Sequence, residues 1–367
     1  MIEISNTPVV RVFTSGHDLI EGNAMAQLKK TARQPGIRVA AGLPDLHQGK
    51  GGPVGAAFLS STYFYPHLIG NDIGCGMGFW KTSIKKQKIK LDKWVKKLAG
   101  MEPGLKEMAQ HARDDRPLGS IGGGNHFAEL MLPERIVDDQ AFHSLGLDKK
   151  HLCILVHSGS RGIGNAVLRR HVDRYKSSGL SMDSADGKEY LRSHDLALEW
   201  ARENRAAIAE NFAGKLGTAC TSILDLCHNS ITPWQIREEQ FWLHRKGAAP
   251  SDSGMVIIPG SRGSLTYLVR PVGDQAANLW SLPHGAGRKW NRKSCKDRLK
   301  DKFTRSSLSQ TSLGSRVICG SSETLFEEAP QVFKNIERIM DDLVRQGLID
   351  LVATFRPLIT YKPGRQS

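Results

Sequence analysis

Apolar residues along this chain come mostly in short runs bounded by glycine and proline, with only a few stretches at helical spacing. Ile37-Arg-Val-Ala-Ala-Gly-Leu-Pro-Asp and Val54-Gly-Ala-Ala-Phe-Leu-Ser are short, and tight turns flank them, so they read as buried strands rather than helices. Leu118 to Leu130 reads as a glycine-rich loop running into a strand, and Leu152-Cys-Ile-Leu-Val as a buried strand that delivers His157 at its end. Met255-Val-Ile-Ile-Pro-Gly-Ser-Arg-Gly-Ser is a further strand-and-turn unit. Leu91 to Leu98 has apolar residues at helical spacing and a basic opposite face, the pattern of a surface helix with solvated lysines. A long helix is predicted from Glu189 to Leu216, with Leu191, Leu196, Leu198, Trp200 and Ile208 as core positions. The end of the chain reads as a helix, Gln331 to Gln346, and a strand, Ile349 to Tyr361. Residues 289–314 are polar and basic, either a solvated loop or part of a polyanion surface.

Strands and helices mix without a regular βαβ rhythm, and no repeat, low-complexity tract or linker interrupts them. The expected architecture is therefore α+β, one compact domain over residues 1–367 with mixed sheets and surrounding helices. A chain of 367 residues, 40% hydrophobic, has ample material for a core. Gly122-Gly123-Gly124 lacks the dinucleotide-binding spacing, and no P-loop lysine motif is present.

Charge changes the picture. With 51 Lys and Arg against 37 Asp and Glu, the formal net charge is +14, which points to a polyanionic partner, most often nucleic acid. The start, Met-Ile-Glu-Ile-Ser-Asn-Thr-Pro, lacks the features of a signal peptide, and no run is long and apolar enough for a membrane span. The six cysteines are scattered, with no CxxC pair, as in a reducing compartment; a cytoplasmic protein is expected.

The candidate chemistry gathers at polar turns. In His284-Gly-Ala-Gly-Arg, glycines let the backbone approach a ligand and an arginine suits an anionic oxygen. From these residues alone the histidine could be a nucleophile, an acid/base or a metal ligand. Asn71-Asp-Ile-Gly-Cys-Gly places Asp72 and Cys75 three residues apart in a loop, and His126, His157 and His228 stand at other loop or strand ends. Together these five residues make a ligand set for one or two divalent ions, in which a Cys75 thiolate could bridge. Ligand softness alone favours zinc, iron or cobalt over manganese. The repeated Gly-Ser-Arg-Gly at Gly159–Gly162 and Gly260–Gly263, together with the cationic His244-Arg-Lys-Gly, offers N–H groups, hydroxyls and guanidinium groups to phosphates.

Asp72-Ile-Gly-Cys-Gly, Gly122-Gly-Gly-Asn-His-Phe, His157-Ser-Gly-Ser-Arg-Gly, His228-Asn, His244-Arg-Lys-Gly-Ala, Pro259-Gly-Ser and His284-Gly-Ala-Gly-Arg stand in the order seen in the RtcB family. That is the family of GTP- and manganese-dependent RNA ligases, and the chain resembles it over nearly its whole length. Within the family, His244-Arg-Lys-Gly-Ala-Ala-Pro-Ser-Asp and the modest length look most like the branch described as release factor H-coupled. The resemblance implies two manganese ions, one on Asp72, Cys75 and His126, the other on Cys75, His157 and His228. It implies that His284 becomes guanylylated. It further implies GTP or GMP contacts at Asn125, His126, Phe127, Ala128, Glu129, His228, Asn229, Pro259, Gly260, Ser261, Arg262, Thr266, Gly285, Ala286, Gly287, Phe333 and Lys362. Glu129 and Lys362 make chemical sense as partners for a guanine edge.

The reaction so implied joins an RNA 2′,3′-cyclic phosphate or 3′-phosphate to a 5′-hydroxyl, in RNA repair or tRNA splicing, and the branch suggests a functional link to a peptide-release-factor-like protein. The sequence departs from the family's usual pattern at Phe333 (commonly tyrosine), Thr266 (commonly serine), Trp290-Asn291 (usually Met-Ser) and Asn165 (commonly histidine), and residues follow Lys362. Two other functions fit the same residues: a metal-dependent phosphodiesterase that processes cyclic phosphate ends without ligating, and a basic RNA-binding factor with a structural metal.

Overall fold

The computed structural model describes residues 7–14, 20–101 and 118–363, so the opening Met1–Asn6 and the tail beyond Pro363 lie outside it. Its backbone is α+β, with two main β-sheets meeting along a cleft. The smaller sheet orders β1 (Val9–Val12), β2 (Ile37–His47), β3 (Val54–Ser60), β11 (Glu239–Lys246) and β10 (Asn229–Ile236). The larger runs β13 (Val256–Pro259), β14 (Thr266–Pro271), β17 (Ile349–Lys362), β6 (Phe127–Ile136), β7 (His151–Ser158), β5 (Gly76–Lys85) and β9 (Cys220–Cys227), with β16 (Arg316–Cys319) joining β17 from the side. Two short ribbons complete the strands: β12 (Ala248–Pro250) with β15 (Ser281–Pro283), and β4 (Tyr63–Phe64) with β8 (Leu180–Ser181).

The large sheet is covered on both faces, and its strands alternate accordingly. Leu152, Ile154 and Val156 of β7 face a core shared with α3 (Leu91–Ala99) and α6 (Ala185–Leu216), through Trp94, Leu98, Ile208 and Phe212. Cys153 and Leu155 point the other way, against Phe79, Phe355 and Phe142 of α4 (Asp139–Ser144). This period of two is the strand signature that the sequence shows. A third core joins the two sheets: Val39, Leu43, Leu59 and Leu243 from the small one meet Ile258, Val269 and α10 (Ile336–Arg345).

The expected strands at 37–45, 54–60, 152–156 and 349–361 form, as does the helix at 91–98, whose Lys93, Lys96 and Lys97 are exposed. Three readings need correction. The long helix begins earlier, at Ala185, because the Ser184 hydroxyl accepts the Gly187 N–H at 3.0 Å as an N-cap. Its buried seam runs through Tyr190, His194, Ala197, Ala201, Ile208 and Phe212; Leu196 falls off that seam and is 48% exposed, while Leu191 and Leu198 are half-buried.

The predicted helix at 331–346 starts only at Ile336, after an Asn335 cap, because Phe333 is extended and bridges Arg288. Residues 289–314 are not a plain loop: they contain α7 (Arg292–Leu299) and α8 (Arg305–Leu308), which bury Cys295, Leu299 and Leu308 against α9 (Ser322–Glu327) and β16. Five helices had no expectation attached: α1 (Gly22–Ala32), seated on β2 through Ala24, Leu28 and Ala32; α2 (Pro66–Ile69); α4; α5 (Gly162–Tyr175); and α9. Among the described residues no helix is long and apolar enough to cross a membrane.

Candidate active site

The register of the large sheet gathers the metal-ligand candidates. Strands β6 and β5 begin, and β7 and β9 end, at the same edge: Met77 and Phe127 both pair with His157, and Gly76 pairs with Cys227. Cys75, His126, His157 and His228, adjacent to those positions or at them, therefore converge although 153 residues separate the first from the last. The Cys75 sulfur lies 3.3 Å from His126 Nε2 and 3.2 Å from His157 Nε2, and His157 Nε2 lies 3.3 Å from His228 Nε2. Asp72 Oδ2 is 2.8 Å from His126 Nε2. Two triads result, Asp72–Cys75–His126 and Cys75–His157–His228, and within each the ligand atoms lie within 4.8 Å of one another.

Electrostatics suit a cation here. Burial, then the neighbouring imidazoles, hold His157 and His228 well below the ordinary histidine range, so both rings are neutral with lone pairs to offer. Burial and the Asp72 carboxylate push the Cys75 thiol up, so a thiolate there calls for an adjacent cation. The rings are held by their far nitrogens. His157 Nδ1 donates to Asn125 O at 3.1 Å, which turns its Nε2 inward. His126 differs: the Arg161 guanidinium donates to its Nδ1 at 3.1 Å, so Nε2 carries the proton and donates to Asp72. A proton stands where a cation would join that triad. Three imidazoles, a carboxylate and a thiol around one point form a donor set that fits a metal ion.

The helix α6 backs this cluster. Arg205, fully buried on it, donates to Gly74 O at 2.7 Å and Ser158 O at 2.9 Å, tying the Asp72–Cys75 loop to the end of β7, and forks onto Asp225 at 2.5 and 2.7 Å.

His284 follows β15 and faces the same cleft, its ring centroid 4.9 Å from that of His228. Its Nδ1 lies 2.7 Å from Oδ2 of the fully buried Asp45. A carboxylate can only accept, so Nδ1 carries a proton, and in the neutral ring Nε2 is then the nitrogen with the lone pair. Gly287 has φ +67°, and a Cβ there would lie 2.3 Å from the Asp45 carbonyl oxygen, so this close seating of the turn requires glycine. Lys334 pins the same strand end by donating to Leu46 O at 2.5 Å and Pro44 O at 3.3 Å. His47 stacks beside His284 with centroids 6.2 Å apart, and burial keeps it neutral, down to about 3.

The cleft holds about 1220 Å³, and the expected nucleotide-contact residues Asn125, His126, Phe127, Glu129, Asn229, Pro259–Arg262, Gly285–Gly287, Phe333 and Lys362 line it. Ala128 and Thr266 do not. Ala128 faces the α6 core, and Thr266 is buried in the strand pair opposite Pro259. At one part of the lining, burial pushes the Glu129 carboxyl up to about 7 and the Lys362 ammonium down to about 8. Glu129 bonds the Thr360 hydroxyl, and Lys362 donates to His126 O at 3.0 Å.

The His244-Arg-Lys cluster is not the phosphate cradle expected. His244 is buried, neutral at about 3, and accepts the Tyr65 N–H at 2.8 Å; Arg245 pairs with Asp252 at 2.9 Å; only Lys246 reaches the cleft. Of the two Gly-Ser-Arg-Gly arginines, Arg161 serves His126, while Arg262 donates to Leu308 O and Leu325 O. Sequence reasoning gave no role to Asp45, His47, Lys334, Arg205 or Glu328. The Pro44-Asp-Leu-His-Gln-Gly motif, an acid and a histidine closing an apolar run, was the available signal for the first two.

Comparison with known proteins bears on this arrangement. The family model described as tRNA-splicing ligase RtcB matches residues 27–104 and 98–363. RNA-splicing ligase RtcB2 of Escherichia coli is 48% identical over 96% of this chain and 95% of its own length. RNA-splicing ligase RtcB of Escherichia coli strain K12 is 27% identical over 99% of both chains, and tRNA-splicing ligase RtcB of Archaeoglobus fulgidus is 26% identical over 93% of this chain and 91% of its own.

Proposed function

This chain belongs to the RtcB family of tRNA-splicing ligases, and from that premise we propose that it is an RNA ligase that joins a 2′,3′-cyclic phosphate or 3′-phosphate end to a 5′-hydroxyl end through GMP carried on His284. The observation that carries this reading is the Asp45–His284 pair: a carboxylate 2.7 Å from Nδ1 leaves Nε2 as the nucleophilic nitrogen, beside the cluster of metal-ligand candidates. Site residues from Asp72 to Lys362 meet in one cleft, which supports residues 1–367 acting as a single ligase domain.

In the first step Nε2 attacks the α-phosphorus of GTP. An N–P bond forms, the α–β bridging P–O bond breaks, and pyrophosphate leaves. His284 keeps its Nδ1 proton, and Asp45, accepting it in a hydrogen bond, stabilises the ring as it gains positive charge, the role a buried carboxylate plays for a catalytic histidine. An oxygen of the RNA 3′-phosphate then attacks the GMP phosphorus, the N–P bond breaks, and His284 returns to neutral. Finally the 5′-hydroxyl oxygen attacks the activated 3′-phosphorus, GMP leaves, and a phosphodiester remains. A cyclic phosphate end must first be hydrolysed to a 3′-phosphate.

Asp72, Cys75 and His126 would hold one divalent ion, and Cys75, His157 and His228 a second; manganese is proposed on family resemblance against the softness of the thiolate. When bound, such ions neutralise phosphate charge and polarise the phosphorus under attack. Glu129 and Lys362 suit the N–H and carbonyl edges of guanine, and Phe333, with Arg288 5.3 Å over its ring, offers a stacking face. The net charge of +14 matches an RNA substrate. The six free cysteines fit work in a reducing cytoplasm. A link to a peptide-release-factor-like protein rests on the branch resemblance alone.

The test is labelling with GTP carrying radioactive α-phosphate, across manganese, zinc, cobalt and magnesium. An acid-labile, alkali-stable GMP adduct is expected with manganese, and His284→Ala should lose it while still binding metal. No adduct on folded, metal-loaded protein would end this reading.

A further inference from the structure

Two residues beyond Arg288 this chain has Trp290-Asn291. We propose that Trp290, with the Arg298 guanidinium stacked on it, is a platform for a nucleobase of the RNA strand next to its reacting end. The proposal rests on the RNA-ligase reading.

Trp290 is half-buried at the lining of the cleft that contains His284, and Arg298, exposed on α7, lies with its guanidinium carbon 5.0 Å from the indole centroid. The Trp290 carbonyl accepts from Arg288 Nε at 3.1 Å, which ties this stretch of backbone to the His284 turn. The cations of the same segment fall into two groups. Arg288 and Arg292 are spent on protein carboxylates, at 3.0 and 2.6 Å from Glu328. Lys289, Lys293 and Arg298 line the same cleft, and among the described residues none has an ion pair.

A flat ring topped by a guanidinium plane, flanked by cations without counter-charges, is the chemistry that single-stranded nucleic acid uses: a base stacks on the plane and phosphates run along the cations. A protein partner would require apolar area around the ring, and this rim is cationic instead. The segment is also continuous with the reaction cleft, so a strand on it leads directly to His284.

The experiment is fluorescence anisotropy without GTP, using labelled RNA 12-mers of two kinds, one ending in a 3′-phosphate and one in a 5′-hydroxyl. Each is made with its terminal bases intact or abasic. Trp290→Ala should weaken binding of one of the two strands by about 5- to 150-fold, the range for a lost base–aromatic stack. Trp290→Phe should restore most of the affinity, and the loss should disappear when the stacked base is abasic. The arm that responds tells which end is held. Arg298→Ala, a change at an exposed side chain that cannot disturb the core, should weaken the same strand by a smaller factor.

Equal affinity of wild type and both alanine variants would overturn the proposal. So would an equal loss for intact and abasic RNA. Because this arm uses no GTP, its failure is distinct from a failure to form the His284 adduct.

Discussion

Arg205 joins the stability of the fold to the geometry of the metal site, and Arg205→Met should separate the two. The guanidinium is fully buried and forked on Asp225 at 2.5 and 2.7 Å, while its Nη1 serves Gly74 O and Ser158 O. Methionine keeps much of the volume but leaves Asp225, only 14% exposed, facing a buried space, with just Arg202 at 3.8 Å nearby. Removing one partner of such a pair costs about 3–5 kcal/mol, because the other charge stays uncompensated. Two buried carbonyls also lose a donor, at ~1–3 kcal/mol each, not additively. Against a total stability of ~5–15 kcal/mol, the variant should unfold at visibly lower urea while remaining folded without it.

The second consequence is local. Gly74 stands between Asp72 and Cys75, and Ser158 follows His157, so the ligand-bearing loop and the end of β7 lose the same clamp. Metal affinity, measured by calorimetry on the folded variant, should fall about 10- to 100-fold, as for lost outer-shell support. Arg205→Met with Asp225→Leu should recover part of the stability and none of the metal affinity. A single variant within about 0.5 kcal/mol of wild type, the range of ordinary surface changes, would refute the reasoning.

Other outcomes follow from the same contacts. Asp45→Asn replaces an acceptor-only carboxylate with a neutral amide that can also donate, so the His284 tautomer is no longer fixed nor its gained charge offset, and the rate of adduct formation should fall on the order of 10²–10⁴-fold with metal binding unchanged, as single-turnover labelling would report. Glu129 gives a pH signature: burial raises its carboxyl from the ordinary 4.5 to about 7, so the folded protein holds a proton that the unfolded chain releases. Its contribution to stability is therefore full below about 4.5 and is lost as pH rises through about 7, and Glu129→Gln should remove that part of the decline in urea titrations. GTP binding, if it needs the carboxylate as an acceptor for guanine N–H groups, should tighten as pH rises towards 7 and release a proton, seen as a buffer-dependent heat that Glu129→Gln lacks. Gly287→Ala would put a Cβ 2.3 Å from the Asp45 carbonyl oxygen at φ +67°, so the variant should lose adduct formation by displacing the turn, with wild-type metal binding measured alongside.

The strands that build the site were legible because they alternate or run apolar over five to eight residues, and the ligand histidines stand at their ends. What periodicity could not supply was the order in which strands pair. The register that brings Met77 opposite His157 and Gly76 opposite Cys227 is a long-range fact. The same holds for Asp45, whose partner His284 is 239 residues away. Helix α7 escaped notice because only Cys295 and Leu299 of its eight residues are buried, too few to make an apolar stripe among so many cations. Leu196 lies off the buried seam because that seam follows Gly187, Tyr190, His194 and Ala197, small or polar residues that hydrophobicity alone ranks low. The cationic His244-Arg-Lys motif misled for the opposite reason: two of its three side chains are buried in service of the small sheet.

The central claim is that His284 carries GMP between GTP and an RNA end. It is tested most directly by incubating the protein with manganese, GTP, an RNA whose 3′-terminal phosphate is radioactive, and a second RNA with a 5′-hydroxyl. The account predicts a joined product that retains the label at the junction, formed only with GTP and abolished in His284→Ala. Label that leaves as inorganic phosphate, or cyclic ends opened equally well without GTP and by His284→Ala, with no joined product, would contradict it.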